Sequence, residues 1–236
     1  MKILALETSA KACSAAVTEG GQVLASCYQN TGLTHSRTLM PMVESLLKNA
    51  DLSVADLGLI AVAAGPGSFT GIRIGVAAAK GLAFAANLPA AGVSTLYAMA
   101  LGLSHINGLI VCAMDARRAQ VYNALFEAKD GKLTRLCEDR AIGLADLAEE
   151  LRGDSRPLIA VGDGGALCRR ALEGAGISCA LAPARLLHQH AVGVALAAGE
   201  LAEAGALTTA QYLSPVYLRP AQAERLRDRI KKENAT

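Results

Sequence analysis

Tryptophan is absent from the 236 residues, and phenylalanine and tyrosine together make up only 3%. Proteins that hold single-stranded RNA lean on aromatic stacking, so a stand-alone reader of single strands is disfavoured. A surplus of positive charge is missing as well. Lysine and arginine number 23 against 21 acids, a formal net charge of +2, whereas a chain that grips nucleic acid unaided is strongly basic. No cysteine pair has metal-ligand spacing. Cys13, Cys27, Cys112, Cys137, Cys168 and Cys179 stand apart, most of them in apolar runs, and read as reduced small hydrophobes rather than a disulfide frame or zinc site. Apolar runs stay short of the ~18 residues of a bilayer span, and ILALETS after Met1-Lys2 is too short for a signal peptide. A cytoplasmic protein with no membrane anchor is expected.

Apolar residues, at 52%, are plentiful enough for real cores, and the length suits two small domains. KILALE, CSAAVTE and QVLASCYQ read as three strands, with Gly20-Gly21 as a hairpin turn between the last two. A helix is expected over 35–49, capped by Thr34 and kinked or begun late at Pro41. Residues 57–64, LGLIAVAA, form an apolar run of central-strand type. A helix over 70–86, a strand AAGVS and a helix over 95–103 follow. The order then restarts: GLIVCAMD, VYNALFEA and KLTRLCED as strands, helices over 143–151 and 164–173, and an Ala-rich helix over 187–204. ALETSAKACSAAV and AMDARRAQVYNAL align as two openings of one plan, β-β-β-α-β-α twice, in an α/β chain. Domains are expected over 1–104 and 105–212, with the tail, 213–236, packing back on the first. The Arg/Lys-rich stretch of that tail reads as a solvated terminal helix or as an RNA phosphate contact.

Between strand and helix lies GPGSFTGIRIG, Gly65 to Gly75. A glycine-rich strand-to-helix turn aims free amides at an anion. No Lys-Ser/Thr pair follows it, and its spacing is GxGxxxG, so it is neither a P-loop nor a dinucleotide fingerprint. A tight turn with close helix packing explains it equally well.

Longer strings narrow the choice. LALETSAKACSAAV, THSRTLMPMVESLL, AVAAGPGSFTGIRIGVAAAKGLAFA, GVSTL, MDARRAQVY and SPVYLR occur in that order along essentially the whole chain. Together they closely resemble the TsaB (YeaZ) family. The resemblance implies the duplicated actin-like, Hsp70 and sugar-kinase fold, which is ribonuclease H-like. It also implies a role in making threonylcarbamoyladenosine beside the tRNA anticodon. In that family the homologous TsaD performs the transfer, TsaB is its required non-catalytic companion, and the ATPase TsaE joins them. Binding to tRNA is then expected only through the complex.

TsaD-like proteins carry an HxxxH metal motif after the next strand. Here the two positions are Thr95 and Met99, and neither hydroxyl nor thioether replaces imidazole as a ligand. His35 and His105 are isolated, and His188 and His190 read as exposed residues at a helix start. The resemblance places Glu7, Gly65, Gly67, Ser68, Asp115, Gly162 and Gly164 around a vestigial nucleotide cleft. The turn between the first two strands, Thr8 to Ala12, lacks glycine, so phosphates have little backbone room. No required cofactor, no metal and no catalytic residue are expected, and at most weak nucleotide binding. The competing reading is an ATPase or small-molecule kinase of the same superfamily.

A partner surface is expected instead. The helix GIRIGVAAAKGLAFAA carries charge only at Arg73 and Lys80. On the preceding helix Leu39, Met40, Met42, Val43, Leu46 and Leu47 span about 160°, more than one buried face needs. Leu39, Met42, Val43, Leu46, Leu47, Arg73, Val76, Ala77 and Lys80 are therefore the candidate interface, toward TsaD or, without it, toward a second copy. Packing of the two helices on each other and on the sheet is the alternative. The interface reading expects Val76→Glu or Leu46→Arg to abolish pairing and leave the monomer folded.

Overall fold

The computed structural model describes residues 1–219. The basic stretch expected to be helical lies outside the described residues. β1 (Lys2–Glu7), β2 (Cys13–Glu19) and β3 (Gln22–Gln29) form an antiparallel meander. Then come α1 (His35–Asn49), β4 (Leu59–Gly65), α2 (Phe69–Ala86), β5 (Ala90–Ser94) and α3 (Thr95–Leu101). β4 pairs with β1 and β5 with β4, both in parallel, giving the order β3-β2-β1-β4-β5.

The second half repeats the plan with β6 (Gly108–Asp115), β7 (Gln120–Lys129), β8 (Lys132–Arg135), β9 (Arg140–Gly143), α4 (Leu144–Glu150), β10 (Leu158–Val161), α5 (Gly165–Gly174), β11 (Cys179–Leu181) and α6 (Ala191–Glu203). Its order, β11-β10-β6-β7-β8, is the first sheet's order strand for strand, with β9 an addition on β7. β5 is the expected strand AAGVS, whereas β9, β10 and β11 are strands of the second half that the sequence reading did not name. The strand expected over 132–139 breaks after Arg135. The Arg135 guanidinium reaches back to Asp139 and lies over the Phe126 ring, and pairing with β7 resumes only at Arg140.

Alternation along the central strands explains the layering. Leu4 and Leu6 of β1 and Ile60 and Val62 of β4 face α1 and α2. Ile3, Ala5, Leu59, Ala61 and Ala63 face the other way, onto Ala191, Val194, Ala195 and Ala198 of α6. Alanine on both sides of that second layer lets the helix lie close to the strands. β6 alternates likewise, with Leu109, Val111 and Ala113 on the side of α4 and α5 and Ile110, Cys112 and Met114 on the side of α3.

The last helix of each half therefore covers the sheet of the other. This corrects the expected boundaries. The chain leaves the second half after Leu187, and α6 belongs by packing to the first sheet. Thr208 then bridges to Ala90 by two backbone hydrogen bonds, 2.8 and 2.9 Å.

Two further expectations are corrected. α1 runs unbroken through Pro41, and Thr34 precedes it without a side-chain cap bond. α2 is long and apolar enough to span a bilayer, with mean hydropathy 1.3 over 18 residues. Here it is a core helix, with Ile72, Val76, Ala79 and Ala83 buried against the first sheet.

Candidate functional site

A cleft of about 640 Å³ lies between the halves, lined by Ser9 to Lys11, Pro66 to Phe69, Met114 to Arg117, Tyr122, Asp163 and Val216 to Arg219. Both glycine loops and the ends of β1 and β6 meet there, because corresponding strand ends of the two repeats face each other across it.

Glu7 ends β1 fully buried. Burial pushes its carboxyl up to about 7, against the opposing pull of the neighbouring Ser9. One oxygen accepts the Ser9 amide, and the other has no partner among the described residues. Asp115 ends β6, accepts the Arg117 amide and pairs with the Arg117 guanidinium at 3.4 Å. The turn beyond it holds Arg117, Arg118 and Ala119 in the left-handed region, at φ 65°, 56° and 53°, which costs roughly 1–2 kcal/mol per non-glycine residue. Asp163 is a cleft residue that the sequence reading missed. Surrounding protein raises its carboxyl, and Gln189 donates to it at 2.8 Å.

The glycine loop is filled by its own chain. Ser68 caps α2 by accepting the Gly71 amide, and the Ser68 amide donates to the Ser9 carbonyl at 2.6 Å. Any side chain at Gly67 or Gly71 would collide with the carbonyls of Ser9 or Thr8, and one at Gly75 with the Thr8 hydroxyl. Gly71 and Gly75 therefore serve close contact within the chain, not with a partner's helix. Gly162 and Gly164 do the same against the end of β6.

Thr95 and Met99, which the resemblance sets at the two histidine positions of an HxxxH motif, are core residues of α3, 0% and 6% exposed. Among the described residues no group of three His, Cys, Asp or Glu could hold a metal ion. His190 is not an exposed helix residue. It precedes α6, accepts the Val192 amide on Nδ1 and stacks on Tyr28 at 5.4 Å.

The candidate interface is also redrawn. Leu39, Met42, Val43, Leu46, Leu47 and Val76 are all under 8% exposed and belong to the first half's own core. The broad apolar arc of α1 is spent on α2 and the sheet, with Met40 at its edge left outside. Arg73 and Ala77 are open and Lys80 is half-buried. The open stripe of α2 is Thr70, Arg73, Ala77, Gly81, Phe84 and Ala85, which fall within about 120° of one face at 100° per residue. Phe84 is 82% exposed.

Comparison with known proteins joins these features. Residues 29–224 match the family model described as TsaD, tRNA N6-adenosine threonylcarbamoyltransferase. The chain is 39% identical over 173 residues to the tRNA threonylcarbamoyladenosine biosynthesis protein TsaB of Bacillus subtilis, spanning 73% of this chain and 76% of that one. The chain belongs to the TsaB (YeaZ) family. Escherichia coli TsaB is 38% identical over 152 residues, 64% of this chain and 65% of its own. YeaZ from Pseudomonas aeruginosa superposes with a TM-score of 0.78 at 29% identity, over 92% of this chain and 99% of that one. The Acidaminococcus fermentans (R)-2-hydroxyglutaryl-CoA dehydratase component A, at 13% identity and a TM-score of 0.51 over 86% of this chain and 99% of its own, shares the fold alone. TsaB membership and the strand-for-strand repeat together make this the duplicated actin-like fold.

Proposed function

We propose that in tRNA threonylcarbamoyladenosine biosynthesis this chain is the non-catalytic companion that binds and activates TsaD, acting with TsaE, and that it reaches tRNA only through that complex. The observation that carries this reading is the fate of Thr95 and Met99. Both are buried in α3, Met99 against the second sheet, so the site that a TsaD-like enzyme would build there is replaced by core.

The docking face we assign is the open stripe of α2. Ala77 and Gly81 give close backbone approach at its centre, and Phe84 projects an anchor. Alongside, Lys80 Nζ donates to the Gln211 and Leu213 carbonyls and holds exposed Tyr212 beside the helix. Without TsaD the same apolar face would pair two copies. The cleft requires no cofactor and retains at most weak nucleotide binding.

Mixing the pure chain with TsaD, with and without TsaE, and measuring complex size and tRNA modification tests this. Modification by TsaD should depend on the chain, and the chain alone should transfer nothing, even with threonylcarbamoyl-adenylate and metal supplied. Metal-dependent ATP hydrolysis by the chain alone, abolished by Glu7→Ala, would favour an ATPase or small-molecule kinase instead.

A further inference from the structure

The segment after α6 does more than end the fold. Leu213 is buried in the first half's core, 2% exposed. Val216 donates its amide to the Ala64 carbonyl at 2.7 Å, and its own carbonyl presses on Gly65 so closely that no side chain would fit there. Tyr217 packs on Phe69 at 5.0 Å and accepts a 2.8 Å hydrogen bond from Arg73. Arg219 then crosses to the second half and donates to the Ala116 carbonyl at 2.9 Å, at the strained arginine turn.

We propose that residues 213–219 are a strap that ties the two halves across the cleft and must be displaced before a phosphate-bearing ligand can seat on the glycine loop. Among the described residues the chain otherwise passes between the halves at α3, before β6, and between Leu187 and α6. A third crossing, from the end of β4 to the turn after β6, opposes any change in the angle between the sheets.

The class of ligand follows from what the strap covers. Lys11 and Arg117 bring positive charge to the lining beside the carboxylates of Asp115 and Asp163, Arg117 being paired with Asp115, and Tyr122 brings an aromatic ring. Ser9 lines the cleft with a buried hydroxyl that has no hydrogen-bond partner among the described residues. The amides of Phe69 and Thr70, which open α2, have no acceptor among the described residues. A volume near 640 Å³ suits a nucleotide.

The test uses the full chain with two separate substitutions. Arg219→Ala removes the tie to the second half from a position outside the core, and Val216→Pro removes the amide bonded to Ala64. Amide hydrogen exchange reports residues 64–70 and 116–120, and equilibrium titration reports ADP binding. Each variant should exchange at least tenfold faster in both loops, with exchange of β1 and β6 unchanged, and bind ADP at least tenfold more tightly. Unchanged exchange at 116–120 in Arg219→Ala would overturn the strap. So would equal ADP affinity with the strap tied and released, whether both forms bind or neither does.

Discussion

The hydroxyl of Thr8 donates to the carbonyl of Gly71 at 2.8 Å across 63 residues of sequence, and the Thr8 carbonyl fills the space where a side chain at Gly71 would stand. The turn after β1 and the first turn of α2 are thus backbone against backbone. Gly71→Ala must push them apart, and a loss of about 3 kcal/mol, the upper end for overpacking, is expected. Gly81→Ala, ten residues along the same helix, meets nothing within 4 Å and should gain roughly 0.5–1 kcal/mol from helix propensity. Urea unfolding of the two variants separates packing from propensity. Equal effects would mean that the Thr8 contact is not what requires glycine.

Much of this architecture was legible in the sequence because both halves rest on runs with an unmistakable period. KILALE, LGLIAVAA and GLIVCAMD announced central strands, and the paired openings announced the repeat. The interface was misread because periodicity counts apolar residues on a helix without saying what covers them. The wide arc of α1 looks like more than one face, and the first sheet and α2 absorb nearly all of it. The exchange of α3 and α6 between halves left no local signal, since an Ala-rich helix packs equally well on either sheet. Asp163 was hidden for another reason. Gly162 and Gly164 stood out as cleft candidates, and the acid between them counts only once Gln189 returns to the same spot.

Glu7 sets a pH dependence whose direction is fixed by its burial. Its carboxyl titrates near 7 in the folded chain and at 4.5 when unfolded. The folded state therefore holds the extra proton between those values, and stability falls as pH rises through that window. The full penalty above pH 7 is about 3 kcal/mol at 1.36 kcal/mol per unit. Glu7→Gln, neutral and nearly isosteric, should flatten the slope between pH 4.5 and 7 and be the more stable protein at pH 8. A variant less stable than the parent at pH 8 would show that the ionised carboxylate is held by a partner.

His190 acts in the opposite sense. Burial, which disfavours the charged imidazolium, lowers its pKa below 6.5, and the neutral ring accepts the Val192 amide. Its contribution is fully present above pH 6.5 and lost as pH falls through the lowered folded value. His190→Asn keeps an acceptor at the start of α6 and removes the titration. Measured in a Glu7→Gln background, it should reduce the loss of stability as pH falls below 6.5, at a cost of no more than about 1 kcal/mol. An unchanged loss would place its origin elsewhere.

The partner face and the core can be told apart on adjacent helices. Phe84 is 82% exposed and Leu46 only 5%. Phe84→Asp removes nothing from the fold, so its stability should stay within about 0.5 kcal/mol of the parent. If Phe84 anchors the stripe, binding to TsaD should weaken at least 30-fold, the equivalent of about 2 kcal/mol at an interface hot spot. Leu46→Arg places a charge in the apolar core of the first half and should cost more than about 4 kcal/mol, giving a chain that is not folded well enough to assay. Thermal denaturation and co-purification with TsaD resolve the two effects. A folded Leu46→Arg protein that had merely lost TsaD would restore α1 as the docking surface. A Phe84→Asp protein that kept TsaD at full affinity would remove α2 from it.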